Sequence, residues 1–211
     1  MKLHKFKDYN EYKTIQIKGY EAKVDTHSWV DPYSIRGLTS YIFDYNSDVS
    51  FGLCHGTRRG IEQKEFIQSF ESLNKIVEVV GTEIAPEASK RFSNTIEWDF
   101  HEVKDEWIGN IDFIYSNSLD HSHKPEYCLN QWMKCLNSRG LCIIEWTSDD
   151  DKKSRPMDPF AASYAEYIKL IENKYEIVDI LESEPDKDES WNFKGQRFYF
   201  IIRNRRNNET N

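Results

Sequence analysis

Apolar positions along the chain come alternately as short continuous runs and as spaced patterns, and that alternation predicts an order of elements. Val49-Ser50-Phe51-Gly52-Leu53-Cys54 reads as a short buried strand running into a glycine loop. From Gly60 to Leu73, Ile61, Phe66, Ile67 and Phe70 fall on one helical face. Ile76 to Ile84, rich in Val and Ile, predicts a second strand, and Pro86 beside Glu87 marks a helix start. Thr95 to Trp98 and Asp112 to Tyr115 predict a third and a fourth strand. The helix opening at Pro125 carries Cys128, Leu129, Trp132, Met133 and Leu136 on its buried side. Asn137 to Gly140 reads as a turn and Leu141 to Trp146 as a fifth strand. Asp158 as N-cap with Pro159 at the first helical position predicts a helix to about Asn173. Tyr175–Leu181 and Arg197–Arg203 then read as two strands with no helix between them.

Short strands separated by helices imply an α/β fold, a parallel sheet doubly wound by right-handed crossovers. The polar connection between the last two strands implies a hairpin-like ending. The expected sheet is therefore seven-stranded and mostly parallel, with the last strand antiparallel. Residues 1–48 are expected to form an N-terminal helical addition, 49–203 the α/β domain and 204–211 a polar tail. Within the addition, Asp31-Pro32 starts a helix through Ile35, Leu38, Tyr41 and Ile42. It is expected to pack over the carboxyl edge of the sheet, where such folds bind ligands.

Composition narrows the function. Of 211 residues, 28 are Lys or Arg and 36 Asp or Glu, a net charge of −8 that argues against a phosphate-tracking nucleic-acid binder. Aromatics at 14% supply the large buried side chains that disordered acidic chains lack. No apolar run approaches the ~20 residues needed to cross a bilayer, and Met1 to Lys13 shows no signal-peptide core. Cys54, Cys128, Cys135 and Cys142 form no C-x-x-C pair, so reduced thiols and a cytoplasmic location are expected.

Three glycines, Gly52, Gly56 and Gly60, lie between the first strand and its helix, where backbone approaches a ligand closely. Their spacing is not the dinucleotide fingerprint G-x-G-x-x-G. Glu83, at the end of the second strand, can accept both hydroxyls of a ribose, or be a solvated strand-end charge. Asp99 with Phe100, after the third strand, can take an adenine amino group while the ring packs nearby.

Four segments together, Cys54-His55-Gly56-Thr57, Val79 to Ala88, Trp98-Asp99-Phe100 and Asp112 to His121, resemble the class I S-adenosylmethionine-dependent methyltransferase family. The similarity to its small-molecule members extends through Pro125-Glu126 and the turn at Asn137–Gly140, over roughly 49–203. The resemblance implies S-adenosyl-L-methionine as cofactor and a small-molecule or saccharide-type acceptor; the charge and the short apolar runs lead to the expectation of no nucleic-acid or membrane partner. The resemblance also implies cofactor contacts from Cys54, His55, Gly56, Thr57, Arg58, Glu83, Ile84, Asp99, Phe100, Asn117 and Ser118. The first motif departs from the family pattern: Gly52 stands where an acid is usual and Cys54 replaces a glycine. Arg58 or Arg59 then either pairs with the methionine carboxylate or is solvated. A non-catalytic nucleoside-binding module and an NAD-dependent enzyme are the competing readings.

His121 and His123, after the fourth strand, are the expected general bases, with Asp120 beside them. Alternatively His121 packs against the cofactor. His121-x-His123 lacks an evident third ligand, so no metal is expected. His55 either lines or fills the glycine loop, and His4 and His101 are expected at the surface. His27 and Trp29 either face the acceptor or, for Trp29 as for Trp146, the tryptophan is core. Thr147 to Pro156, with Asp149, Asp150 and Asp151, either gates the cleft or is a solvated loop.

Overall fold

A computed structural model of the chain describes residues 1–26, 29–148, 153–183 and 195–205. His27, Asp149, Asp150, Asp151 and the tail from 206 onward lie outside the described residues.

The main sheet is built from β1 (Phe51–His55), β2 (Glu78–Glu83), β3 (Thr95–Glu97), β4 (Ile111–Ser116), β5 (Leu136–Thr147), β6 (Tyr175–Glu182) and β7 (Arg197–Asn204). Its order is β3-β2-β1-β4-β5-β7-β6. The first five strands pair in parallel, and β7 runs antiparallel to both β5 and β6. The doubly wound sheet and its antiparallel ending are thus as the strand pattern implied.

The six α-helices among the described residues are α1 (Tyr9–Lys23), α2 (Pro32–Tyr45), α3 (Ile61–Ser72), α4 (Pro86–Arg91), α5 (Pro125–Cys135) and α6 (Tyr164–Glu172). Successive strand residues face opposite sides of a sheet, which splits the apolar runs between two cores. Ile114, Ile144 and Ile202 pack with Trp132 and Leu129 of α5 and Ile171 of α6. Their neighbours Phe113, Ile143 and Ile201 pack with Ile35 and Leu38 of α2 and Phe66 and Phe70 of α3. Gly52 sits beneath Phe113, whose ring atoms would lie 2.2 Å from any Cβ placed there.

Three local readings are corrected. Helix α2 starts where expected, its cap Asp31 accepting from the amides of Tyr33 and Ser34, but it packs beside α3 on a sheet face. It is α1, unmarked by the apolar pattern, that supplies Tyr12, Gln16 and Tyr20 to the carboxyl edge. The last long helix starts at Tyr164 rather than Pro159. Ser163 and Glu166 form a reciprocal capping box there, and Phe160–Ala161 pair antiparallel with Lys2–Leu3. Asn137 to Gly140 is extended chain within β5, next to an irregularity in its pairing with β4. The buried carboxylate of Asp112 anchors that stretch, accepting from Asn137 Nδ2 at 2.7 Å and from the amides of Ser50 and Phe51 at 2.8 and 3.0 Å.

Candidate active site

A cleft of about 880 Å³ opens at the carboxyl ends of β1 to β5, bounded by α1 and by the segment from Lys153 to Phe160. That is within the ~300–1,000 Å³ range of small-molecule sites, at the position where open α/β sheets bind ligands. Gly56, Thr57, Arg58, Glu83, Ile84, Asp99, Phe100, Asn117, Ser118 and His121 all line it. Cys54 and His55 lie beneath it: both are buried, and the His55 ring stacks on Trp132 at 5.0 Å. Burial holds the His55 imidazole neutral, lowering its pKa to about 3. His123 lies beside the cleft, its ring 4.2 Å from that of Tyr12 and 4.4 Å from that of His101.

The loop after β1 turns on Gly56, which has φ +74° and would place a Cβ 2.5 Å from Ser118 Cβ. Only glycine lets the β1 and β4 loops approach this closely. Arg58 also takes a positive φ, 42°, which aims its amide at Glu83 Oε2, 3.0 Å away. Glu83 Oε1 accepts from the amides of Ile84 and Ala85 at 2.8 and 3.3 Å. Burial raises the Glu83 pKa, and these backbone hydrogen bonds oppose it. Arg59 is tied down, its guanidinium donating to Thr26 O at 2.6 Å beyond the end of α1. Glu62, at the start of α3, accepts from the Thr57 hydroxyl at 2.8 Å, and burial pushes its pKa up to about 7.

His101 is not a surface residue. It is buried, with Nδ1 2.6 Å from Asp99 Oδ1 and Nε2 2.7 Å from Ser122 Oγ. Tyr9 of α1 donates its hydroxyl to Asp99 Oδ2 at 2.6 Å. This chain of bonds joins α1, the end of β3 and the loop after β4. Burial opposes the Asp99 charge, but the bonds from His101 and Tyr9 outweigh it and hold the pKa at about 2. His4 is half-buried, packed edge-on against Phe6. Trp29 is not core either: it is 45% exposed and borders the cleft, whereas Trp146 is buried and donates to Ala162 O.

His121 lies beside two carboxylates. Its Nε2 lies 3.7 Å from Asp158 Oδ1 and 4.0 Å from Asp120 Oδ1, and its Nδ1 lies 3.0 Å from Gln16 Oε1. Burial lowers its pKa, partly opposed by the Asp158 charge. Burial and the Asp158 charge also raise the pKa of Asp120. These three side chains are within 4.8 Å of one another, a donor set compatible with a cation. Lys23, 3.9 Å from Asp158 Oδ1, and Arg155, bonded to Asp158 Oδ2, already supply counter-charge.

Sequence reasoning missed Tyr12, Gln16, Tyr20 and Lys23 on α1, and also Glu62, Glu145 and Asp158. Tyr12, Gln16, Gly19 and Tyr20 are spaced i, i+4, i+7, i+8, a helical face hidden because half of it is polar. Glu145, at the far end of the cleft, is buried against Arg197 Nε at 3.1 Å and accepts from Tyr115 OH at 2.7 Å. A carboxylate inside the apolar run Leu141–Trp146 was its signal.

No family model matches the chain, and no curated protein matches it by sequence. Solved structures match by shape. The Burkholderia thailandensis 1,6-didemethyltoxoflavin-N1-methyltransferase, solved with 1,6-didemethyltoxoflavin and S-adenosylhomocysteine, superposes with a TM-score of 0.68 at 15% identity, over 96% of this chain and 93% of that one. The plantazolicin methyltransferase BpumL, with a triazolic desmethylPZN analog and S-adenosylhomocysteine, gives 0.62 at 13% identity, over 93% and 98%. The [4+2]-cyclase SpnF gives 0.57 at 10% identity, over 93% of each chain. At such identities the likeness is one of fold.

Proposed function

We propose, from the premise that this chain has the fold of the class I S-adenosylmethionine-dependent methyltransferases, that it binds S-adenosylmethionine in the cleft and methylates a small-molecule or saccharide-type acceptor. The observation that carries the reading is the joint placement, in one cleft, of Glu83 at the end of β2 and the Gly56 turn at the end of β1. The residues present suit that cofactor. Glu83 would hold the ribose, Asp99, Phe100 and Ile84 the adenine, and Thr57, Arg58, Asn117 and Ser118 the amino-acid end. When bound, the cofactor supplies an electrophilic methyl group on a cationic sulfur.

The protein's own part is to orient, to exclude water and to move a proton. Helix α1 covers the cleft, with the Tyr12 hydroxyl donating to His121 O at 3.2 Å. His121 lines the cleft and is kept neutral by burial, which suits it to take a proton from the acceptor. His123 packs on Tyr12 instead, which favours His121 as the base. The acidic balance of the chain favours a small acceptor over a nucleic acid.

One observation favours a second reading: SpnF shares this fold and is a [4+2]-cyclase, so the fold alone does not fix the chemistry. The two separate in an assay for methyl transfer from S-adenosylmethionine to a panel of small-molecule and saccharide acceptors. His121→Ala is expected to lower the single-turnover rate by ~10²–10⁴-fold, with His123→Ala much closer to wild type. Full rate and unchanged pH dependence in His121→Ala would remove the base assignment. Binding without turnover on any acceptor would favour the non-catalytic module.

A further inference from the structure

Gln16 is buried on the cleft face of α1. Its Nε2 donates to the carbonyl oxygens of Pro156 and Met157, at 3.3 and 3.2 Å. Carbonyl oxygens only accept, so that end of the amide is the NH2 and the other end the oxygen. The oxygen lies 3.0 Å from His121 Nδ1. An amide oxygen cannot donate, so a hydrogen bond there requires Nδ1 to carry the hydrogen. The lone pair of the neutral ring is then at Nε2.

We infer that Gln16 is a positioning residue, locking His121 in the Nδ1–H tautomer so that Nε2 is the proton acceptor of the cleft. This rests on the reading of His121 as the base. In the transfer, the proton leaves the acceptor heteroatom for the Nε2 lone pair and the electron pair stays on the heteroatom as nucleophile. The new N–H of the imidazolium then faces Asp158 and Asp120, at 3.7 and 4.0 Å from Nε2. Asp158 is kept in place as an anion by Lys23 and Arg155. With the opposite tautomer, Nε2 would present a hydrogen to the acceptor and could not take one. In a serine protease, the corresponding loss of tautomer control costs about 10⁴ in kcat.

A role for Gln16 only in tying α1 to the Pro156–Met157 segment would leave the tautomer free, so the tautomer is the readout. The full chain is labelled with 15N-histidine and its long-range 1H–15N correlations are recorded at pH 8. His121 is identified by its loss in His121→Ala. The wild type is expected to show a protonated Nδ1 and a bare Nε2. Gln16→Glu, which keeps an acceptor at Nδ1 but loses both donors, is expected to retain that pattern. Gln16→Leu is expected to lose it. An Nε2–H form in the wild type, or an Nδ1–H form retained in Gln16→Leu, would overturn the inference. If the Leu variant does not fold, the wild-type and Glu spectra still decide it, loss of the pattern in Gln16→Glu counting against it. The spectra need no cofactor, so failure of the protein to bind S-adenosylhomocysteine would remove the functional reading and leave the tautomer result separate.

Discussion

Replacing Asp99 by asparagine tests whether the bonded chain through His101 holds this edge of the cleft together. The Asp99 carboxylate accepts from Tyr9 OH at 2.6 Å, His101 Nδ1 at 2.6 Å and the His101 amide at 2.9 Å. Its side chain is only 11% exposed. Its pKa is lowered from 3.8 to about 2, a shift equivalent to roughly 2.5 kcal/mol of folding stability. Because the folded-state value is the lower one, that stability is fully present above the unfolded pKa of ~3.9. It is lost as pH falls through about 2. The asparagine side chain keeps the shape and an acceptor for His101 but not the charge. Asp99→Asn should therefore cost roughly 2.5 kcal/mol near pH 7, and about half of that at pH 3. Urea unfolding of both proteins between pH 3 and 8, read by fluorescence and circular dichroism, measures the difference. A cost below about 0.5 kcal/mol at neutral pH, or one that does not shrink toward pH 3, would refute the reasoning.

Other expectations are local. Gly56→Ala puts a Cβ 2.5 Å from Ser118 Cβ at φ +74°; it should destabilise the chain by ~1–3 kcal/mol and weaken S-adenosylhomocysteine binding, seen by unfolding and calorimetry. Trp132→Phe removes the indole N–H donated to Phe100 O at 2.8 Å; urea unfolding should show a loss of ~1–3 kcal/mol. Ser163→Ala breaks the capping box of α6; the cost of ~1 kcal/mol should appear as a fall of about 2–4 °C in Tm. An unchanged Tm there would contradict the placement of the helix start.

Strands and helices with a plainly apolar face were legible in the chain because burial alone specifies them. The strands holding Phe113 and Ile114, or Ile143 and Ile144, were marked by their apolar runs alone, and the structure sends the neighbours of each pair into different cores. The parts facing the cleft were harder, because a cleft wall mixes polar and apolar groups and weakens the period. Helix α1 buries a glutamine and a glycine with two tyrosines, so its amphipathic signal is slight. Asp158-Pro159 has the local chemistry of a helix start. Ser163-Tyr164-Ala165-Glu166 has it too, with the reciprocal partner that a lone Asp-Pro lacks. His101 looked solitary because Ser122 reaches it only from the loop after β4, although Asp99 lies just two residues away. Glu83, Asp99 and His121 were legible as candidates because they lie at or just beyond strand ends, where open α/β sheets bind ligands.

Calorimetric titration with S-adenosylhomocysteine, with NAD as the comparison, decides whether Glu83 anchors an S-adenosylmethionine site. Saturable binding of S-adenosylhomocysteine at one site per chain is expected, with no comparable binding of NAD. In Glu83→Ala the affinity should fall by about 10- to 100-fold, the worth of charge-assisted bonds at ~1.5–3 kcal/mol. Preference for NAD, no binding of S-adenosylhomocysteine, or tight binding that survives Glu83→Ala would contradict it.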